Sequence, residues 1–187
     1  MELNTAIKSR HSVRKFTNKK PDWRRIIECI DSMRYAPMAG GNCTLKIILV
    51  DNEEKLKEIA EASQQRHVGQ VEFIVVVCSN PSRTITEYGK EEGRKWVNQQ
   101  TGAAIQNFLL EIESAGLASC WVGYFEEEKV RRVLKIPEEI NIEAILPVGY
   151  EAEKKRTKKD KIELDRILYF NYYNNINMKK PKEGSGD

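Results

Sequence analysis

Arg10-His11-Ser12-Val13-Arg14-Lys15-Phe16 gathers guanidinium groups, an imidazole and a hydroxyl into a few adjacent positions. A guanidinium presents a planar fork of N–H donors matched to phosphate oxygens, and a serine hydroxyl adds a neutral donor at short reach. The run is therefore a candidate anion clamp; a solvated basic turn is the competing reading of the same composition. Two glycine-bearing segments, Ala36 to Asn42 and Gly116 to Gly123, follow downstream. Gly40 and Gly41 permit close backbone approach, although ordinary turn-making accounts for them as well. Trp121 reads equally as core packing or as a ring contact. The Lys158, Lys159, Lys161 cluster has the composition of a solvated charge run. No metal-ligand cluster and no hydrolase triad is visible, so nothing points to a side-chain nucleophile or a metal.

These segments need elements to hold them. Leu3, Ala6 and Ile7 recur at helical spacing and predict a short helix ending near Arg10. Pro21 and Asp22 open a second helix with Trp23, Ile26, Ile27, Ile30 and Met33 on one stripe, closed by Ala36-Pro37. Leu45 to Val50 and Phe73 to Cys78 read as strands, with a helix from Asn52 to Ser63 between them. Asn80-Pro81 breaks the pattern. From about Gly89 to Ala115 the positions Val97, Thr101, Ala104, Ile105, Phe108, Leu109 and Ile112 predict the longest helix, ended by Gly116. Ser119 to Phe125 reads as a strand, Glu126 to Ile136 as a helix and Ile142 to Tyr150 as the last core strand. Beyond it lies a short helix or arm carrying Leu164, Ile167, Leu168, Phe170, Tyr172 and Tyr173, apolar enough to want a partner surface. Periodicity leaves the strand directions open, so the order supports either an α/β or an α+β sheet domain.

The chain has 187 residues, 40% of them hydrophobic, which suits one domain with a real core. We expect that domain over 1–175 and a mobile polar tail over 176–187. The 31 basic and 28 acidic residues leave a net charge of +3, too balanced for nucleic-acid coating or strong membrane attraction, so any anion site must be local. The four cysteines lack paired spacing and no apolar run approaches a membrane span, which points to free thiols and a cytoplasmic location.

Four segments, in this order, resemble signatures of the nitroreductase family. The first run is similar to its Arg-[Arg/His]-Ser-x-[Arg/Lys]-x-Phe signature. Ala36-Pro37-Met38-Ala39-Gly40-Gly41-Asn42 resembles its Ala-Pro-Ser-x-x-Asn loop, and Gly116 to Gly123 its Gly-x-Gly-x-x-Trp-x-Gly segment. Pro147-Val148-Gly149-Tyr150, followed by a basic stretch and an apolar arm, is the fourth. The resemblance implies an α+β fold with a mainly antiparallel central sheet flanked by helices. It also implies an intertwined homodimer with two FMN sites built from both subunits.

The implied activity is an FMN-dependent oxidoreductase working by a ping-pong cycle. Hydride passes from NADH or NADPH through flavin N5 to an electron-poor acceptor, nitroaromatic or quinone-like, and no side chain acts as catalyst. By position, Arg10, Ser12 and Arg14 would hold the phosphate and ribityl chain, and His11 would lie toward the ring. Pro37, Met38, Ala39 and Asn42 would approach from the other subunit. Gln64 or Gln65 would sit near the pyrimidine edge, and Trp121 would either contact the ring or pack in the core. Val122 and Gly123 would aim backbone N–H groups at N5, and Lys158 or Lys159 would add a phosphate contact. Gly102, Ala103 and Ala104 form a narrow patch expected at the dimer axis. The family loop continues Asn-x-Gln-Pro-Trp where this chain has Asn42-Cys43-Thr44-Leu45, and its Ser is Met38 here. Those departures touch the substrate wall and keep open an alternative: the same fold with another flavin reaction, or none.

Overall fold

The computed structural model describes residues 1–153 and 161–178. The chain divides into two compact units at residues 154–155. In the first unit, the helices are α1 (Leu3–Ser9), α2 (Trp23–Asp31), α3 (Glu53–Ser63), α4 (Ser82–Tyr88), α5 (Lys90–Ser114) and α6 (Glu127–Leu134). The strands are β1 (Leu45–Val50), β2 (Phe73–Ser79), β3 (Ala118–Ser119) and β4 (Asn141–Gly149). They form one sheet in the order β1-β2-β4-β3, every pair antiparallel. This is the predicted α+β class, with strand direction now decided.

Successive side chains of a strand point to opposite faces, and β2 is apolar on both. Ile74, Val76 and Cys78 join one core with Leu56, Ile59 and Val68. Phe73, Val75 and Val77 join the other with Ile26, Met33 and Phe108. Helices therefore cover both faces of the sheet. All seven predicted inward positions of α5 are buried. Its end has the left-handed cap that Gly116 predicts: Gly116 lies at φ +71° and the Leu117 N–H reaches back to the Ile112 carbonyl at 3.0 Å.

Three expectations are corrected. A helix, α4, follows Asn80-Pro81, where only a break was expected. It packs against α5 at Gly93, where a Cβ would lie 2.7 Å from the Ile85 Cα. The strand expected over Ser119 to Phe125 is only two residues long, followed by one bridge between Val122 and Ile145. Val122 and Ile145 exchange both backbone bonds at 3.0 Å, so the next such pair toward β3 would be Cys120 with Pro147. Proline has no N–H, and the ladder is interrupted there. Finally, Ala104 of the narrow patch is buried in the chain's own core, while Gly102, which faces Trp121, and Ala103 stay partly exposed.

Among the described residues of the second unit, the segment expected to be a short helix or an arm holds one 3-10 turn, Leu164–Arg166, and no α-helix. Phe170 and Asn175 exchange hydrogen bonds, and the Tyr169 and Tyr173 rings meet edge-on at 4.9 Å. Ile162, Leu164, Ile167, Tyr172 and Tyr173 are exposed.

Candidate functional site

The cationic run leaves α1 and is stitched along the open edge of the sheet. Val13 N–H donates to the Ser119 carbonyl at 3.0 Å, Thr17 N–H to the Tyr150 carbonyl at 2.8 Å, and Ala152 N–H to the Lys15 carbonyl at 3.0 Å. Phe16 lies over Gly149, where a Cβ would fall 2.9 Å from the ring, which is why a glycine stands there. Phe16 N–H also donates to Gln70 Oε1 at 3.3 Å, tying in the 3-10 turn Arg66–Gln70. Alternate backbone positions hold the run, and the intervening Ser12 and Arg14 are left exposed.

The side chains converge beside β3. Burial raises the pKa of the Cys120 thiol, against the opposing influence of Arg14, Ser12 and Arg10 around it. Arg14 also lies near His67, a residue the sequence reading did not single out. His67 is 7% exposed, and its Nε2 is buried without a hydrogen-bond partner. Burial first, then the Arg14 charge, lowers its pKa, so the imidazole stays neutral.

Both ring nitrogens of His11 are engaged within the chain. Its Nε2 meets Glu151 Oε1 at 2.9 Å and its Nδ1 meets the Ser9 carbonyl at 3.0 Å. Burial alone would lower its pKa; the Glu151 and Ser9 hydrogen bonds and the Glu151 charge outweigh it and raise the pKa. With Nδ1–H given to a carbonyl, a carboxylate on Nε2 favours the doubly protonated ring.

Between Val122 and Gly123 the ladder decides which N–H is available. Val122 N–H points inward to the Ile145 carbonyl, so it cannot face a ligand. Along an antiparallel strand successive N–H groups alternate sides, so those of Trp121 and Gly123 point away from β4. No protein acceptor meets Gly123 N–H among the described residues, and a Cβ added at Gly123 would meet nothing within 4 Å. Trp121, 42% exposed, lies with its ring edge against Gly102 of α5.

The loop bearing Pro37, Met38, Ala39 and Asn42 is elsewhere. Ala39 N–H donates to Gln100 Oε1 at 2.9 Å, and Gln100 Nε2 donates to Thr44 Oγ1 at 2.7 Å and the Asn42 carbonyl at 3.3 Å. Asn42 is buried, with its Nδ2 on Glu87 and its Oδ1 unpartnered. Gln100 and Gly102 lie about 200° apart around α5, so this loop and Trp121 occupy opposite sides of the helix. Glu113, whose charge acts on His11, lies about 20 Å farther along the axis than Gln100. One chain thus unites the first, third and fourth segments and holds the second apart.

Gln64, in a left-handed conformation at φ 55°, donates to Glu126 Oε1 at 3.0 Å, and Gln65 N–H donates to Ser63 Oγ at 3.3 Å. Neither is bonded to the clamp. Lys158 and Lys159 lie outside the described residues. A surface recess of about 690 Å³ lined by Lys15, Phe16, Asn18, Gln70 and Glu72 contains none of the predicted site residues. No group of three or more potential metal ligands exists among the described residues, and none of their helices is long and apolar enough to cross a membrane.

Paired arginines with a serine are chemically suited to an anionic group such as a phosphate. Arg10, Ser12 and Arg14 lie together on the run stitched to the open edge of the sheet, and an outward N–H lies farther along the same edge at Gly123. The profile of the nitroreductase family matches residues 7–68 and 63–150. A Methanothermobacter thermautotrophicus protein named NADH dehydrogenase/NAD(P)H nitroreductase is 31% identical over 172 residues, covering 89% of this chain and 86% of its own. The crystal structure of a nitroreductase family protein from Clostridium novyi NT superposes with a TM-score of 0.74 at 26% identity, covering 94% and 96% of the two chains. The NADPH:FMN oxidoreductase of Vibrio harveyi, solved with NAD+, shares the fold at a TM-score of 0.82 and 22% identity, covering 94% of this chain and 79% of its own.

Proposed function

We propose, from the premise that this chain belongs to the nitroreductase family, that it is an FMN-dependent oxidoreductase drawing on NADH or NADPH. Bound FMN would supply the redox chemistry, accepting hydride at N5 and passing it to an electron-poor acceptor such as a quinone or nitroaromatic. The observation that supports this reading is the Val13 to Ser119 hydrogen bond, which ties the run carrying Arg10, Ser12 and Arg14 to the edge strand that leads to Gly123.

Within that site the chain's own groups have distinct tasks. Arg10 and Arg14 neutralise and orient the phosphate, with Ser12 as a neutral donor. Gly123 N–H would offer the bound ring a fixed donor, a preorganised dipole that needs no proton transfer. Trp121 flanks the ring. We assign Gln64 or Gln65 to the pyrimidine edge, and Lys158 or Lys159 to a further phosphate contact.

The loop at Pro37, Met38, Ala39 and Asn42 supports a site shared between two copies. Helix α5 stands between that loop and Trp121 of the same chain, so a loop reaching the ring must come from a partner. We therefore read the working unit as a homodimer, with the apolar arm of a 175-residue domain covering the partner. Nicotinamide and acceptor would use the same open face in turn, which is a ping-pong cycle.

The test is direct. Purified protein should be yellow, release FMN on denaturation, bleach with NADH or NADPH under anaerobic conditions and recover colour with a quinone or nitroaromatic. Persistent colourlessness after FMN is supplied would overturn the assignment.

A further inference from the structure

Gln100 is 4% exposed in the middle of α5, and no role assigned so far uses it. A buried primary amide has lost its water and must find partners within the protein. Gln100 finds three in one loop. Its Oε1 accepts from the Ala39 N–H at 2.9 Å, and its Nε2 donates to the Asn42 carbonyl at 3.3 Å and the Thr44 hydroxyl at 2.7 Å.

The loop has little else of its own to fix its path. Its 3-10 turn, Ala39–Gly41, is broken at Gly40 by φ +56°, and Gly41 follows at +70°. Glycine enters that region freely and leaves it as freely. Pro37, Met38 and Ala39 carry no side-chain hydrogen-bond donor, and the Asn42 side chain is held from α4 by Glu87. The amide of Gln100 is also chemically specific. A carboxylate would accept from the Ala39 N–H and the Thr44 hydroxyl, but it has no donor for the Asn42 carbonyl and would set two oxygens against each other.

Resting on the shared-site reading above, in which this loop meets the flavin held by a second copy, we infer that Gln100 is a positioning residue for the oxidoreductase reaction. Through Ala39, Asn42 and Thr44 it sets the wall that nicotinamide and acceptor meet in the other copy's site. It touches neither flavin nor substrate. Its effect therefore falls across the dimer and not on the clamp of its own chain.

Gln100→Glu tests this at nearly constant shape. At pH 8 the variant should hold FMN within about threefold of the unmutated chain, because the clamp is untouched. Its kcat/KM for NADH or NADPH, with a benzoquinone as acceptor, should fall about tenfold to a hundredfold, the scale on which a misplaced positioning group acts. Protonating the introduced carboxyl restores a donor toward the Asn42 carbonyl, and burial there moves its titration upward. The deficit relative to the unmutated chain should therefore shrink as pH falls from 8 to 5.5. Unchanged kcat/KM at pH 8, or a deficit that does not vary with pH, overturns the inference.

Mixed dimers decide where the effect falls. Co-expressed chains with different affinity tags would pair Gln100→Glu with the Arg10→Ala, Arg14→Ala double variant. One site then joins an intact clamp to an intact loop and the other has both damaged, so activity should return to about half that of the unmutated dimer. Mixed dimers no more active than the two parents overturn the inference and leave the flavoprotein reading standing. Should Gln100→Glu not fold, Gln100→Met, which keeps the length without the amide, takes its place in the mixed dimers. Failure of the unmutated chain to bind FMN or to dimerise overturns the reading beneath it as well.

Discussion

His11 and Glu151, 140 positions apart in sequence, face each other at 2.9 Å and join the exit of the first helix to the exit of the last strand. Because pairing raises the His11 pKa, the folded state holds a proton more tightly there than the unfolded chain. The pair's stabilisation is thus fully present below the unfolded pKa near 6.5 and is lost as pH rises through the higher folded value. Melting curves between pH 5.5 and 8.5 should show this contribution in the unmutated chain. They should show it removed in Glu151→Gln, with a difference of about 1 kcal/mol or less for so partly exposed a pair. An identical pH profile in the two proteins would refute the pairing.

His67 runs the other way. Its lowered pKa means the fold prefers the neutral ring, a contribution present above the unfolded pKa and lost as pH falls through the folded value. His67→Gln, which cannot titrate, should lose less stability than the unmutated chain between pH 7 and 5. Equal acid sensitivity would show that His67 is freely protonated in the folded state.

Arg10→Ala combined with Arg14→Ala should weaken FMN retention by about tenfold to a hundredfold, since charge-assisted hydrogen bonds contribute roughly 1.5–3 kcal/mol each and rarely add in full. Arg14 is exposed, and the run is held by backbone bonds at Val13 and Thr17, so the far-ultraviolet spectrum should be unchanged. Unchanged flavin affinity would remove the phosphate assignment.

Gly123→Pro deletes the outward N–H, and Gly123→Ala keeps it with open space for the methyl group. Removal of one preorganised donor of this kind costs about a hundredfold or more in rate in other enzymes. The proline variant should therefore retain FMN and show slowed reduction by nicotinamide in stopped flow, whereas the alanine variant reacts normally. Equal slowing in both would mean that space, not the donor, matters there.

Gly93 permits the close approach of α4 to α5. Gly93→Ala would place a methyl group 2.7 Å from the Ile85 Cα and 2.9 Å from the Thr84 carbonyl, contacts with backbone that cannot swing aside. We expect about 1–3 kcal/mol of destabilisation, read as a lower denaturation midpoint, because overpacking forces the two helices apart. A midpoint equal to that of the unmutated chain would show that the helices separate at no cost.

Much of the fold was legible from pattern alone. The strict helical period from Val97 to Ile112 marked α5, and the continuous apolar run Phe73 to Cys78 marked a strand buried on both faces. These are local signals, carried by residues three or four apart, or two apart, on one element. The cationic run was legible as chemistry because its residue types lie side by side. Helix α4 was not, since its packing depends on the missing Cβ of Gly93, whose meaning appears only when Ile85 is beside it. The short β3 was not either, because its interrupting proline stands on another strand.

The chain's order of residues by itself determined which groups could meet a phosphate, where the long helix and the core strands run, and which family the motifs resemble. Tertiary structure alone decided which partners those groups have: His11 with Glu151, Val122 with Ile145, His67 with none, and the loop at Asn42 with Gln100 on the far side of α5. The reason is physical. Residue types and periodicity specify what a side chain or peptide group can do, but pairing in an antiparallel sheet and crossing of helices set which groups are already satisfied within the chain. Only groups left unsatisfied at an accessible edge, such as Gly123 N–H, remain open to a ligand.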